Sequence, residues 1–176
     1  FALAGRDDVG LLNSDTQVGP GWLDGLRLTA HATPRIGTVT AVSNNAGVFS
    51  VPEPEVENRL PGWFSVAEMA RLARQASLAL WPTAPTGNGF CLYVRRDCLD
   101  AVGGFDEAAF PRGYGEENDF CMRAAAAGFE HRVDDRTWVW HRRSASFGAA
   151  KAAHVQASQA VLAERYPEYR TLIGLF

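Results

Sequence analysis

Short apolar segments typical of β-strands alternate with segments of helical periodicity along this 176-residue chain. Residues 9–12, 36–44, 89–96 and 138–141 have the composition and alternation of strands, and residues 20–31 predict a helix between the first two. Helical and strand segments mix throughout without an internal repeat. An α/β layered sandwich is therefore the predicted architecture.

The clearest helix start is the S-x-x-E capping box formed by Ser65 and Glu68. Apolar residues on one helical face follow as far as Leu80, and Pro82 is expected to end the helix. The proline-rich residues 46–62 before it predict a loop, either an ordinary connection or a flap over substrate.

Two more helices are predicted in the second half of the chain. Residues 116–127 form a helical segment closed by Gly128, and residues 149–165 predict a terminal helix.

The composition, with 47% hydrophobic and 21% charged residues, is that of one soluble globular domain. A formal net charge of -3 gives no reason to expect a nucleic-acid or anionic-membrane surface. The three cysteines lack C-x-x-C spacing, which fits a reducing, cytoplasmic setting. No apolar run approaches the roughly 20 residues that span a bilayer, so no membrane span is expected.

Three carboxylates crowd into residues 111–123, "PRGYGEENDFCMR": Glu116, Glu117 and Asp119. The preceding glycines permit a tight turn, which places Glu116 and Glu117 in the first turn of the next helix. Carboxylates there interact favourably with the helix dipole, and this interaction alone could explain the cluster.

Two further sites carry side chains suited to chemistry. Asn13 and Asp15 follow the strand-like residues 9–12, where they could both face a hard cation, although such a pair is more often a turn or a helix cap. His141 ends the last strand-like segment and is followed by cations, although a lone histidine is more often a surface or core residue.

The order of these sites closely resembles that of the family 2 glycosyltransferases of the GT-A fold. Three segments carry the resemblance: "LLNSDTQVGPGWLDGL", "TGNGFCLYVRRDCLDAVGGFDEAAFPRGYGEENDFCMRAAAAGF" and "WVWHRRSASFG". Together they cover essentially all of residues 9–148. The resemblance implies a three-layer α/β/α sandwich with a mixed sheet.

The resemblance also implies a divalent metal, Mg²⁺ or Mn²⁺, on the diphosphate of a nucleotide-sugar. Asp15 matches the direct ligand of the family's D-x-D element, and Asn13 replaces its first acid as a helper. His141 matches a histidine that joins the metal. The nearby cations Arg142, Arg143 and Lys151 are candidates for binding the diphosphate.

Glu117 matches the family's general base, which takes the proton of the acceptor hydroxyl, with Glu116 as its neighbour. The helix N-terminus is expected to favour the ionised form of Glu117, so that it is a weak base available at neutral pH. The predicted contacts to sugar or acceptor are made by Gly87, Gly89, Asp106 and Asp119. Turn formation alone also explains the glycines, and Asp119 is better explained as a helix-stabilising or structural acid.

The function that follows is inverting transfer from a UDP- or TDP-sugar to a saccharide or lipid-linked saccharide. By analogy the reaction belongs to cell-envelope polysaccharide synthesis, in the cytoplasm or at the inner face of the membrane. In this family a nucleotide-binding half precedes the D-x-D element. We therefore expect residues 1–176 to be a partial domain, inactive alone, whose exposed sheet edges and apolar surface stay open or are covered by a second copy.

Two other classes of function remain open at this point. One is a carbohydrate-binding or assembly module that keeps the fold without catalysis. The other is a metal-dependent phosphoester hydrolase that uses Asn13, Asp15 and His141 as ligands, although such enzymes commonly show more carboxylates and histidines.

Overall fold

The structure, a computed structural model, describes residues 1–111, 113–142 and 149–176, without the side chains of residue 2 and residues 149–152. The described residues form a six-stranded mixed sheet with helices packed against it. The predicted α/β class is thus confirmed, and the assignment to the GT-A fold stays a prediction.

The sheet has the strand order β1-β5-β3-β6-β2, and β4 also pairs with β6. Strands β3 and β6 are parallel, and the other pairs are antiparallel. The strands are β1 (Val9–Leu12), β2 (Thr16–Val18), β3 (Ile36–Ser43), β4 (Thr83–Ala84), β5 (Cys91–Val94) and β6 (Glu130–His141).

Four of the helices are close to predicted segments, whereas α3 and α6 were not predicted. In the ranges that the structure describes, no helix is both long and apolar enough to span a membrane. The helices are α1 (Trp22–Ala30), α2 (Val66–Ala76), α3 (Arg96–Val102), α4 (Glu116–Ala126), α5 (Ala149–Arg165) and α6 (Tyr169–Leu175), with short 3-10 turns at Ala2–Ala4 and Gly47–Phe49.

Helices cover both faces of the sheet, as the alternation along β5 shows. Cys91 and Tyr93 belong to a hydrophobic cluster that includes side chains of α1 and α2. Leu92 and Val94, which point to the opposite face, belong to a second cluster with α3 and α4. The core is therefore divided by the sheet into two layers.

Helix α2 begins as predicted, with a capping box. The Ser65 hydroxyl accepts a hydrogen bond from the Glu68 amide, and the Glu68 carboxylate accepts one from the Ser65 amide. Its predicted end was wrong. The helix stops at Ala76 because Asp135 of β6 accepts hydrogen bonds from the Ser77 hydroxyl and from the next turn's amides, those of Leu80 and Trp81.

Strand β6 is also longer than predicted, with 12 residues instead of the four of "WVWH". Because β3 and β6 are parallel, their carboxyl ends lie at the same edge of the sheet. The turn between β1 and β2 reaches this edge too, since Thr16 pairs with His141. This edge assembles the polar groups described next.

Candidate active site

The structure brings Asp15 and His141 together from opposite ends of the sequence. The His141 Nε2 atom lies 3.4 Å from an Asp15 carboxylate oxygen, and the amide of Arg142 donates to the Asp15 carbonyl at 3.0 Å. Asp15 is partly exposed, whereas His141 is buried. The pair therefore presents a carboxylate and an imidazole at one solvent-facing point.

His141 is held so that its Nε2 atom faces Asp15. Its Nδ1–H donates to the Asn45 carbonyl at 2.8 Å, and its ring stacks on Phe90 with the ring centroids 5.2 Å apart. The Asn44 side chain accepts a hydrogen bond from the His141 amide and donates one to the His141 carbonyl. A histidine whose Nδ1 is bound to a carbonyl keeps the lone pair of Nε2 available to a metal.

The other residues predicted for this site are Asn13 and the cations that follow His141. Asn13 is exposed, and its carbonyl accepts the amide and the hydroxyl of Thr16, which shapes the turn. Arg142 is exposed beside Asp15. Arg143 and the side chain of Lys151 lie outside the described residues, so their assignment to the diphosphate stays a prediction.

The donor atoms fit a divalent cation that takes its remaining ligands from substrate and water. Among the side chains that the structure describes, no group of three or more His, Cys, Asp or Glu could hold a metal. Asp15 and His141 supply two donors, and cations on phosphate substrates are commonly bound by one or two protein side chains plus phosphate oxygens. The imidazole favours Mn²⁺ over Mg²⁺, which prefers oxygen ligands.

The second part of the site is the first turn of α4. Gly113 has a φ of 79°, in the left-handed region. A Cβ on Gly115 would approach Phe110 to 2.9 Å, so this position is confined to glycine by packing. The turn predicted from the two glycines is confirmed. It delivers Glu116 and Glu117 to the start of the helix, where the Glu116 carboxylate accepts the Gly115 amide at 3.0 Å.

Glu117 faces a cavity of about 220 Å³. Burial, and then the neighbouring Glu116 carboxylate, raises its pKa to about 7, although the amides of Glu117 itself and of Gly89 donate to it. The expectation that the helix N-terminus keeps Glu117 a weak, ionised base was wrong. Desolvation outweighs the helix dipole here, and a carboxylate with this pKa is a stronger base than one in water.

Residues Gly89 and Phe90 connect the two parts of the site. The amide of Gly89 binds the Glu117 carboxylate, while the carbonyl of Phe90 accepts the Asn13 amide at 2.9 Å. The Phe90 ring lies against His141. Two consecutive residues thus contact the carboxylate of α4 on one side and the Asp15–His141 pair on the other.

Asp119 does not line this cavity, and its surroundings fit the predicted structural role rather than contact with the acceptor. It is fully buried, and its carboxylate accepts from Arg123, Arg165 and Tyr166 at 2.8 to 2.9 Å. Burial alone would raise the pKa of Asp119, but these three hydrogen bonds outweigh it and lower the pKa. Asp119 therefore anchors the end of α5 to α4.

The other residues predicted to contact sugar or acceptor lie either at the cavity or in the hydrogen-bond network of Asp119. Gly87 lines the cavity, but packing already explains this glycine, since a Cβ would come within 2.4 Å of Leu92. Asp106 is bound by Arg165 at 2.8 Å and accepts the Ala109 amide, so it belongs to the Asp119 network. Contact of Gly89 with sugar stays a prediction.

Sequence analysis missed two groups of residues at this site. Asn44 and Asn45 follow β3, and a polar pair at a strand's carboxyl end is the same signal that singled out Asn13 and Asp15. Tyr169 of α6 lines the cavity beside Glu117, and no local pattern indicated it.

Comparison with known proteins finds similarity to a glycosyltransferase. The chain is 30% identical over 164 residues to N-acetylglucosaminyl-diphospho-decaprenol L-rhamnosyltransferase of Mycobacterium tuberculosis strain H37Rv, covering 86% of this chain and 52% of the relative. An uncharacterized protein of Mycobacterium bovis is 30% identical over 136 residues, covering 74% of this chain and 44% of that protein. The chain spans about half the length of the curated relatives it matches. No protein-family model matches it.

Proposed function

We propose that the protein containing this chain is an inverting glycosyltransferase of family 2 with the GT-A fold. It transfers a sugar from a nucleotide-diphospho-sugar to a hydroxyl acceptor in cell-envelope polysaccharide synthesis. By analogy with the mycobacterial relative, the acceptor is a lipid-linked saccharide. We place the reaction in the cytoplasm or at the inner face of the membrane.

The observation that carries this proposal is the position of Glu117. Its carboxylate lines a cavity, has a pKa raised to about 7, and is connected through two residues to a carboxylate–imidazole pair. General-base catalysis is most effective when the pKa of the base is near the working pH. Among the described residues, burial and a like charge dominate the surroundings of Glu117, and carboxylates perturbed in this way cluster at functional sites.

In the proposed reaction Glu117 accepts the proton of the acceptor hydroxyl while that oxygen attacks the anomeric carbon. The bond between this carbon and the diphosphate oxygen breaks, and the nucleoside diphosphate leaves with the electron pair. Asp15 and His141 would hold the divalent metal, with Asn13 as a helper. A bound metal neutralises the charge that develops on the diphosphate. Arg142, and by prediction Arg143 and Lys151, add positive charge there.

Sugar-transfer assays on the full-length protein test this function. The assay combines nucleotide-diphospho-sugar donors, lipid-linked saccharide acceptors and a titration of Mn²⁺ or Mg²⁺. Asp15→Asn and His141→Ala should each raise the metal concentration for half-maximal rate by roughly 10-fold or more, because the first removes the negative charge of a ligand and the second removes a ligand. Asp24→Asn, which changes an exposed carboxylate of α1, is the matched control. Unchanged metal dependence in both site variants would contradict the assignment.

A further inference from the structure

The cavity at Glu117 has two kinds of lining. Near the base it is polar, with Thr86, Asn88, Asn118 and Tyr169. The rest of the lining includes Glu55 and an apolar wall formed by Val48, Phe49, Ile173 and the partly exposed Phe176. We call these four residues the apolar wall.

Helix α6 supplies side chains to both parts. Tyr169, Ile173 and Phe176 are spaced i, i+4 and i+7, which places them on one helical face. Tyr169 hydrogen-bonds to Thr86 and lies close enough to Glu117 to sense its charge. Ile173 lies about 6 Å further along the helix axis, at 1.5 Å per residue. The Phe176 ring then meets Phe49 with the ring centroids 5.9 Å apart.

The position of α6 over the base is fixed by the Asp119 network. Arg165 and Tyr166 bind Asp119 of α4, and the Tyr169 amide donates to the Tyr166 carbonyl at 3.0 Å. Helix α4 therefore carries both the base and the anchor of the helix that covers it. The distance between Glu117 and the apolar wall is set by the fold.

We propose that the apolar wall is a subsite for a methyl group on the acceptor sugar, as found in acetamido and 6-deoxy sugars. This inference rests on the proposed function and sharpens it. The acceptor hydroxyl lies at Glu117, and the methyl group lies one helical turn away against Ile173 and the Phe49–Phe176 pair.

The composition of the cavity gives the physical reason. A hydroxyl placed against the apolar wall would lose hydrogen bonds to water, and none of the four side chains of the wall can replace them. A methyl group at the same point loses no hydrogen bond and gains contact with apolar carbons. The wall therefore favours methyl-bearing sugars and disfavours unsubstituted hexoses.

The test compares matched acceptors on the full-length protein. Two pairs share the same aglycone: an N-acetylhexosamine against the corresponding hexose, and a 6-deoxyhexose against the corresponding hexose. We expect kcat/KM to favour the methyl-bearing sugar of at least one pair by roughly 10-fold. The pair that shows the preference identifies whether the methyl belongs to an acetamido or a deoxy sugar.

Variants of α6 test whether the apolar wall causes that acceptor preference. Ile173→Ala should remove most of the preference, and the milder Ile173→Val should reduce it without disturbing the fold. Leu175→Ala, on the exposed side of the same helix, should leave it unchanged. Transfer to all acceptors without a preference, or a preference that survives both Ile173 variants, would overturn the subsite. Absence of transfer to every acceptor would instead overturn the proposed function on which it rests.

Discussion

Two of the carboxylates of helix α4, Glu117 and Asp119, lie two residues apart in environments that differ in kind. Glu117 faces a cavity, where burial and Glu116 raise its pKa to about 7. Asp119 faces the core, where Arg123, Arg165 and Tyr166 outweigh burial and lower its pKa. Glu117 is half-buried and Asp119 is fully buried, so both lose contact with water. The partners decide whether such a carboxylate can accept a proton or holds the structure together.

The largest expected effect is on transfer activity when the cavity-facing carboxylate is removed. Glu117→Gln keeps the size of the side chain but cannot accept a proton. We expect kcat of the full-length protein to fall by roughly 10²–10⁴-fold while donor binding is unchanged. Steady-state kinetics and donor titration measure the two quantities. Activity equal to that of the unaltered protein would remove Glu117 as the base and leave Glu116 as the candidate in the same turn.

The core-facing carboxylate should instead determine stability. Asp119→Asn removes the charge that balances two guanidinium groups, so the free energy of unfolding should fall by about 3–5 kcal/mol. Denaturant titration measures the change. A loss below about 1 kcal/mol would show that Asp119 is not an anchor.

The two carboxylates should also differ in how pH affects stability. Because folding raises the pKa of Glu117 from 4.5 to about 7, the unfolded chain releases this proton at a lower pH than the folded chain does. Glu117 therefore makes the folded state less stable as pH rises between these two values. In Glu117→Gln this part of the decline should disappear.

Denaturant titrations at about pH 5 and about pH 8 measure that difference. Glu107→Gln, which changes an exposed carboxylate, serves as the control. An identical pH dependence in the unaltered protein and in Glu117→Gln would show that the pKa of Glu117 is not raised.

The smallest expected effect is on stability, when an exposed ion pair with the same spacing as the buried one is removed. Arg96 and Asp100 form an i,i+4 pair in α3 like that of Asp119 and Arg123, but the Asp100 side chain is 66% exposed. Asp100→Asn should lower the free energy of unfolding by less than about 1 kcal/mol. A loss as large as that of Asp119→Asn would mean that spacing, not burial, sets the strength of these pairs.

Local patterns in the sequence predicted the elements whose signals are short in range. The capping box at Ser65 marked the start of α2, and Gly128 marked the end of α4. The end of α2 depends on Asp135, which binds a turn more than fifty residues earlier, and the full length of β6 depends on its pairing with β3. No window of the sequence contains both partners of that contact.

Only some parts of the candidate site could be predicted from the sequence. Family resemblance singled out Asp15 and His141, and the structure places them together. It did not predict the pKa of Glu117, because the burial depends on neighbours such as Tyr169, which is supplied from a distant part of the chain. It distinguished Glu117 as the base from Asp119, but it did not identify the partners of Asp119, since Arg165 and Tyr166 belong to the C-terminal region.

The most direct test of the contrast within α4 is to titrate both carboxylates in one sample by carbon-detected NMR. We expect Glu117 to titrate at a pH of about 7 and Asp119 to titrate below 3.8, the ordinary pKa of an aspartate. Titration of both groups at their ordinary values would contradict this expectation, because neither the cavity nor the arginine network would then distinguish a base from an anchor.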